Sequence, residues 1–274
     1  MSERDSLPLL LEPERLEALL GRPDLLILDL SSAENYARGH VPGAVHVAPQ
    51  SLQCGVKPAP GKLPLIEDLS RLFSQVGLTP ECHVIAYDDE GGGWAGRLIW
   101  TLDVLGHRRY SYLNGGSHAW INEGHRVETQ ANIGTPSHFS ARIHNGPIAT
   151  LDAIKAQLGD AGVAIWDARS PAEYAGTKAV AARGGHIPGA VNLDWLELMD
   201  RERNLRLVDP ATLQQRLNQL GLSSDRRVIT HCHTHHRSGL SYLAMKILGY
   251  PDIQGYDGSW GEWGNRSDTP VETA

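Results

Sequence analysis

The chain has 274 residues, of which 41% are apolar and 21% charged, and its net charge is −7. That length supports one large domain or two ordinary ones with packed cores. The acidic balance, with no basic tract, disfavours nucleic acid as a partner, and no apolar run approaches the roughly 18 residues that read as a membrane span.

Residues 1–12 mix acidic side chains with a short leucine cluster and lack the basic start and cleavage site of a signal peptide. Residues 25–30 are an apolar strand. Glu34-Asn35-Tyr36 follows, and then Gly39-His40-Val41-Pro42-Gly43-Ala44-Val45. Residues 65–76 carry apolar side chains three and four apart, which predicts a helix. A strand over 83–87, a helix over 97–105 and a strand over 111–113 complete the run. It ends in Asn114-Gly115-Gly116-Ser117 with Trp120. Residues 129–147 are richer in Gly, Pro, Asn and Ser, have no clean period, and read as a linker.

The same order then returns. Residues 163–168 are a strand, followed by Glu173-Tyr174 and Gly185-His186-Ile187-Pro188-Gly189-Ala190-Val191. A helix over 211–220, a strand over 227–231, a helix over 238–248 and a strand over 253–256 lead to Asp257-Gly258-Ser259 with Trp263. The period is far above the roughly 20–50 residues of a solenoid unit. A whole domain is therefore duplicated, with boundaries expected at 1–128 and 148–274. Strands alternating with helices predict, in each copy, a mostly parallel sheet flanked by helices.

The chemistry concentrates after the strand over 227–231. Cys232 follows it directly, then His233-Thr234-His235-His236-Arg237-Ser238-Gly239, and then a helix. The carboxyl edge of a parallel sheet is where ligands bind. A helix start offers unpaired N–H groups and the positive end of a dipole. A thiol there gains a lowered pKa from the helix terminus, from inward-facing amides and from Arg237, and the thiolate is the nucleophile. The first copy has Tyr87-Asp88-Asp89-Glu90-Gly91-Gly92-Gly93 at the matching place, with neither thiol nor cation. The fold therefore does not require the cysteine. The second copy is expected to be catalytic and the first inactive.

These motifs resemble the rhodanese superfamily over nearly the whole chain. The features shared are the strand-end Asp, the Glu-Tyr or Asn-Tyr pair, Gly-His-Ile/Val-Pro-Gly-Ala, the Cys-x4-Arg loop, and Asp-Gly-Ser with its Trp. The ending Gly258-Ser259-Trp260-Gly261-Glu262-Trp263-Gly264-Asn265 is similar to the bacterial thiosulfate sulfurtransferase branch. The resemblance implies two tandem rhodanese-like domains and a ping-pong transfer. The Cys232 thiolate would take the outer sulfur of thiosulfate, and the resulting persulfide would pass it to cyanide or to a small or protein-borne thiol. Loop amides from His233 to Ser238 would stabilise the persulfide, Asp167 would support the loop by hydrogen bonding, and Arg169 would face the cleft. Phosphatases and arsenate reductases of the family use Cys-x5-Arg, one residue longer, and a noncatalytic persulfide carrier is the other alternative.

The donor-binding set expected is therefore His233, Thr234, His235, His236, Ser238 and Arg169, around Cys232 and Arg237. The imidazoles would modulate donor binding. The dense His-Cys-His run does not match the separated ligand pairs of zinc sites, so no metal is expected, and the resemblance implies no organic cofactor. His40 and His186, with the Pro-Gly that follows each, are read as structural because both copies have them. Trp260 and Trp263 are assigned to the core, and Cys54 and Cys82 to packing. Three cysteines without a CxxC pair point to a reducing cytoplasm, and a monomer is expected.

Overall fold

A computed structural model describes residues 7–273, so the first six residues of the acidic opening lie outside it. The strands are β1 (Leu10–Leu11), β2 (Leu25–Asp29), β3 (Val45–His46), β4 (His83–Tyr87), β5 (Tyr110–Leu113), β6 (Val163–Asp167), β7 (Val191–Asn192), β8 (Met199–Asp200), β9 (Arg206–Leu207), β10 (Arg227–His231) and β11 (Ile253–Gly255). The helices are α1 (Pro13–Glu17), α2 (Ala33–Arg38), α3 (Ile66–Val76), α4 (Gly93–Val104), α5 (Gly116–Asn122), α6 (Leu151–Ala156), α7 (Pro171–Tyr174), α8 (Pro210–Gln219), α9 (Arg237–Ile247) and α10 (Ser259–Trp263). No helix among the described residues is long and apolar enough to cross a membrane.

One sheet has the order β1-β5-β4-β2-β3 and the other β11-β10-β6-β7, while β8 and β9 pair separately. Every pairing within the two larger sheets is parallel. The duplication is visible in register: Asp29 lies opposite Tyr87 in one sheet, and Asp167 opposite His231 in the other. A parallel strand is covered on both faces, which explains why all five residues of β4 are buried. The short β1 and α1 escaped the sequence reading because two strand residues and a five-residue helix carry no period. Helix α4 starts one turn earlier than expected, because Gly93 and Ala95 lack the apolar side chains that mark a helix face.

The residues form two compact units. The first comprises the chain up to Leu52, Pro64–Ile143 and Asp200–Leu207; the second comprises Gln53–Leu63, His144–Met199 and the chain from Val208 onward. Specific bonds account for this membership. Arg206 pairs with Glu12 and Glu123, and the Leu207 amide donates to Asn114. In the second unit Lys62 pairs with Glu262, and the Leu63 amide donates to Asp257. The stretch 129–147 is tied down in part: the Ser137 hydroxyl donates to the Leu78 carbonyl and the Phe139 amide donates to the Ser74 hydroxyl.

Each unit has its own core. Leu11, Ile27, Ile85, Tyr87 and Trp120 pack in the first, and Ile165, Ile229, Tyr256, Trp260 and Trp263 in the second. The repeated Gly-His-x-Pro-Gly-Ala motif has a structural purpose in both. His40 stacks on Tyr36 at 3.8 Å and His186 on Tyr174 at 3.7 Å, between ring centroids. Each tyrosine hydroxyl then donates to the carbonyl of the motif's alanine, Ala44 or Ala190, at 2.8 and 2.7 Å. The motif therefore locks the segment after α2 or α7 onto that helix.

Candidate active site

Strand β10 ends at His231, and α9 begins at Arg237. The five residues between are Cys232 to His236, and they form a tight loop. His235 takes a left-handed backbone (φ 55°), a conformation that costs an L-residue energy and turns the chain sharply. The loop is anchored from the N-terminal turn of α10. The Trp260 amide donates to the Cys232 carbonyl at 3.0 Å, and the Gly261 amide donates to the His233 carbonyl at 2.9 Å. The Cys232 amide donates to the Ser259 hydroxyl at 3.3 Å. A further support comes from Gln53, whose side-chain amide donates to the Thr234 carbonyl at 3.0 Å. Gly61 sits so close that a Cβ there would lie 2.4 Å from that carbonyl oxygen.

Cys232 is 1% exposed. Burial alone pushes its thiol pKa up, but Arg237, the hydroxyl and amide of Ser238, and His236 outweigh it, so the pKa lies below the ordinary thiol value. The hydroxyl of Ser238 also meets Nδ1 of His235 at 2.7 Å. With the serine hydrogen directed at sulfur, that nitrogen donates and the three groups form a chain ending on the thiolate.

Arg237 is half-clamped. Its Nη1 and Nη2 donate to the two carboxylate oxygens of Glu173 at 2.7 and 2.9 Å. Burial would raise the Glu173 pKa, yet the bonds and charge of Arg237 and the donors on Ser170 bring it down to about 2. Glu173 is also the third residue of α7 and completes a capping box with Ser170. In the sequence Glu173 stands out only as part of a Glu-Tyr motif. The available signal was the repeat itself: the first copy has Asn35 at this position, and its side-chain amide donates to Asp89 at 2.6 Å.

Of the residues expected to bind donor, His233, Thr234 and His236 are half-buried. His233 borders a cavity of about 380 Å³ together with Lys57, Pro58, Val180 and Asn265. The ring of His236 lies 5.6 Å from Trp195. Ser238 is buried against the sulfur. His235 departs from expectation: its side chain is buried inside the loop and bonds to Ser238, so it supports the thiolate rather than facing a ligand.

Arg169 departs further. It is 1% exposed, donates to both oxygens of Asp167 and to the Gly185 carbonyl, and lies 4.4 Å over the ring of Trp260. A guanidinium two residues after a buried carboxylate folds back onto it, because neither charge survives burial alone. Arg169 is thus a buried partner and not a cleft residue. Asp167 holds Arg169 and lies 3.7 Å from His231 Nε2, so its support of the loop is indirect. Trp260 and Trp263 are fully buried core residues. Among the described residues, the carboxylate and imidazole atoms close enough to share an ion are those of Glu14, Glu123 and His125 in the first unit, and both Glu123 oxygens already meet Arg206.

In the first copy Asp88 occupies the place of Cys232, directly after β4. Its carboxylate accepts the amides of Glu90, Gly92 and Ala95 at 3.0, 2.8 and 2.9 Å. The amide cradle of the loop is therefore kept, but a side chain of the protein fills it. Burial raises the pKa of Asp88 against the lowering effect of those amides.

The rhodanese-like domain model matches the chain twice, over residues 12–123 and 150–266. The chain belongs to the rhodanese-like family. Two relatives named thiosulfate sulfurtransferase align over 99% of this chain and 100% of their own length: that of Pseudomonas aeruginosa, 52% identical, and that of Azotobacter vinelandii, 53% identical. The rhodanese-like fold is also that of the anaerobic ergothioneine biosynthesis enzyme from Chlorobium limicola, at a TM-score of 0.86 and 20% identity, covering 97% of this chain and 70% of that one.

Proposed function

We propose that the protein is a sulfurtransferase that moves sulfane sulfur from thiosulfate to cyanide or a thiol acceptor through a persulfide on Cys232. The observation that carries this reading is the stabilised Cys232 thiolate, held by Arg237 and Ser238 in a Cys-x4-Arg loop, in a chain similar end to end to proteins named thiosulfate sulfurtransferase. The thiolate attacks the outer sulfur of thiosulfate. The sulfur–sulfur bond breaks and sulfite leaves with the bonding pair. Cyanide carbon or an acceptor thiolate then attacks the terminal sulfur of the persulfide, and the Cys232 thiolate is restored. The same donors that stabilise the thiolate stabilise the persulfide anion, so neither half-reaction requires a metal or an organic cofactor.

The residues of this centre all lie in the second unit of one chain, which suits a monomer. Cys54, Cys82 and Cys232 are all free thiols, which suits a reducing compartment such as the cytoplasm. In the first unit, Asp88 in the cradle leaves no room for a transferred sulfur, so that copy is noncatalytic.

Intact-mass analysis after thiosulfate, with and without cyanide, tests the reading on wild type and Cys232→Ser. Wild type should gain the mass of one sulfur and lose it to cyanide. An adduct that persists in Cys232→Ser would sink the assignment. A stable adduct with negligible turnover would indicate a persulfide carrier, and phosphate release from an ester without any adduct would indicate a phosphatase.

A further inference from the structure

Glu173 joins the catalytic loop to α7, and its place in the second unit is set by geometry rather than by chance contact. Its side chain is 5% exposed, and it meets Arg237 with both oxygens at 2.7 and 2.9 Å. Oε2 also accepts from the Ser170 hydroxyl at 2.9 Å. A bidentate pair of this kind fixes a guanidinium and removes much of its charge at the same time. The Cys232 thiolate, Arg237 and Glu173 therefore carry one net negative charge between them. Arg169, the next buried cation, is matched in turn by Asp167.

The sister copy bears on how this position works. Where the first loop is lined by carboxylates, the same helix position holds Asn35, a donor to Asp89. Where the second loop holds a cation, it is Glu173, an acceptor. The residue at this point of the fold answers the charge of the loop it touches.

We propose that Glu173 is a specificity-determining residue: it holds Arg237 in place while cancelling its pull on anions, and so selects against sulfur donors of high negative charge. The proposal rests on the sulfurtransferase reading above. A dianionic donor such as thiosulfate approaches a centre that is already net negative once the thiol ionises. A monoanionic donor of the same chemistry, such as methanethiosulfonate, meets about half the repulsion. The transfer step is unchanged for both: the thiolate forms a bond to the outer sulfur, and sulfite or methanesulfinate departs with the electron pair.

The test is the steady-state KM and kcat for thiosulfate and methanethiosulfonate in wild type and Glu173→Gln. The amide keeps an acceptor for Arg237 and removes the charge. The expected result is a drop in thiosulfate KM of about fivefold and a drop of about twofold for methanethiosulfonate, the ratio expected of a Coulombic effect on a doubly against a singly charged ligand. Glu173→Asp, which retains the charge, should keep the wild-type ratio between donors. If Glu173→Gln fails to fold, Glu173→Asn, the residue that the sister position already carries, gives the same comparison. Equal changes in both KM values, or a rise in both, would overturn the proposal, since loss of loop geometry affects the two donors alike. Absence of a sulfur adduct on wild type would instead remove the persulfide reading and the proposal with it, whereas an adduct on wild type with an unaltered donor ratio in the variants would remove the proposal alone.

Discussion

Replacing Arg169 by methionine separates a structural role from a donor-binding one. The variant keeps an apolar stem under the Trp260 ring and loses the guanidinium. Asp167, itself fully buried, then loses its charged partner, and the Gly185 carbonyl loses a donor. Removing one member of a buried pair costs about 3–5 kcal/mol, most of it from the charge left behind. The carbonyl adds about 1 kcal/mol. Against a domain stability of roughly 5–15 kcal/mol this is a large fraction. With a urea m-value of roughly 2 kcal/mol/M, the unfolding midpoint should fall by about 2 M. The double variant Asp167→Leu with Arg169→Met should regain most of the loss, because a buried ion pair and an apolar pair of similar size are close in energy. Urea unfolding followed by tryptophan fluorescence gives the midpoints, and thiosulfate kinetics on the folded variants give KM. A midpoint within about 0.3 M of wild type, that is, under about 1 kcal/mol, combined with a tenfold rise in KM would refute the reasoning and return Arg169 to the donor site.

Arg237→Gln removes the cation that lowers the Cys232 pKa, so the pH midpoint of Cys232 alkylation should rise and the thiolate fraction at neutral pH fall; a midpoint that stays put would show that Arg237 does not set the thiol's charge. Gly61→Ala places a methyl against the Thr234 backbone, so the loop must shift, and kcat should drop about tenfold, as small misplacements of reacting groups do; wild-type turnover from a folded Gly61→Ala protein would show that the loop tolerates the displacement. Tyr174→Phe removes a half-buried hydroxyl bond to the Ala190 carbonyl and should cost about 1 kcal/mol, whereas Tyr36→Phe removes a buried one to the Ala44 carbonyl together with the acceptor of the Asn132 amide and should cost about 2 kcal/mol. A loss confined to one copy would mean that the two motifs are not mechanically equivalent.

What the sequence made legible was whatever repeats or concentrates. The two copies could be aligned because Gly-His-x-Pro-Gly-Ala serves the same tyrosine–histidine stack in each. Cys232 was recognisable because a thiol and a cation flank a predicted strand-to-helix turn, and that turn exists. Arg169 was misplaced because sequence gives its distance from Asp167 along the chain but not the direction of its side chain. His235 was misplaced for a related reason: its left-handed backbone and its bond to Ser238 are local geometry that a run of loop residues does not encode visibly. Glu173 was passed over because its partner lies 64 residues further along the chain, and only the contrast with Asn35 marks it. That Asp88 fills its own amide cradle was likewise hidden, since an acidic residue in a glycine-rich loop reads equally well as solvated.

The anchoring of Thr234 by Gln53 carries a consequence for how the protein is made. These two residues are 181 positions apart, so their bond closes one of the longest loops in the chain. Such closures are entropically late and slow the folding of the parts they join. During synthesis the Gln53–Leu63 segment leaves the ribosome long before the loop it must brace, because its partners in the second unit, Thr234, Asp257 and Glu262, all come near the end of the chain. A fragment that begins at residue 148 contains the thiol, Arg237 and Glu173 yet lacks this brace. The chemistry of the centre is encoded in the second half of the sequence, whereas its rigidity is borrowed from the first.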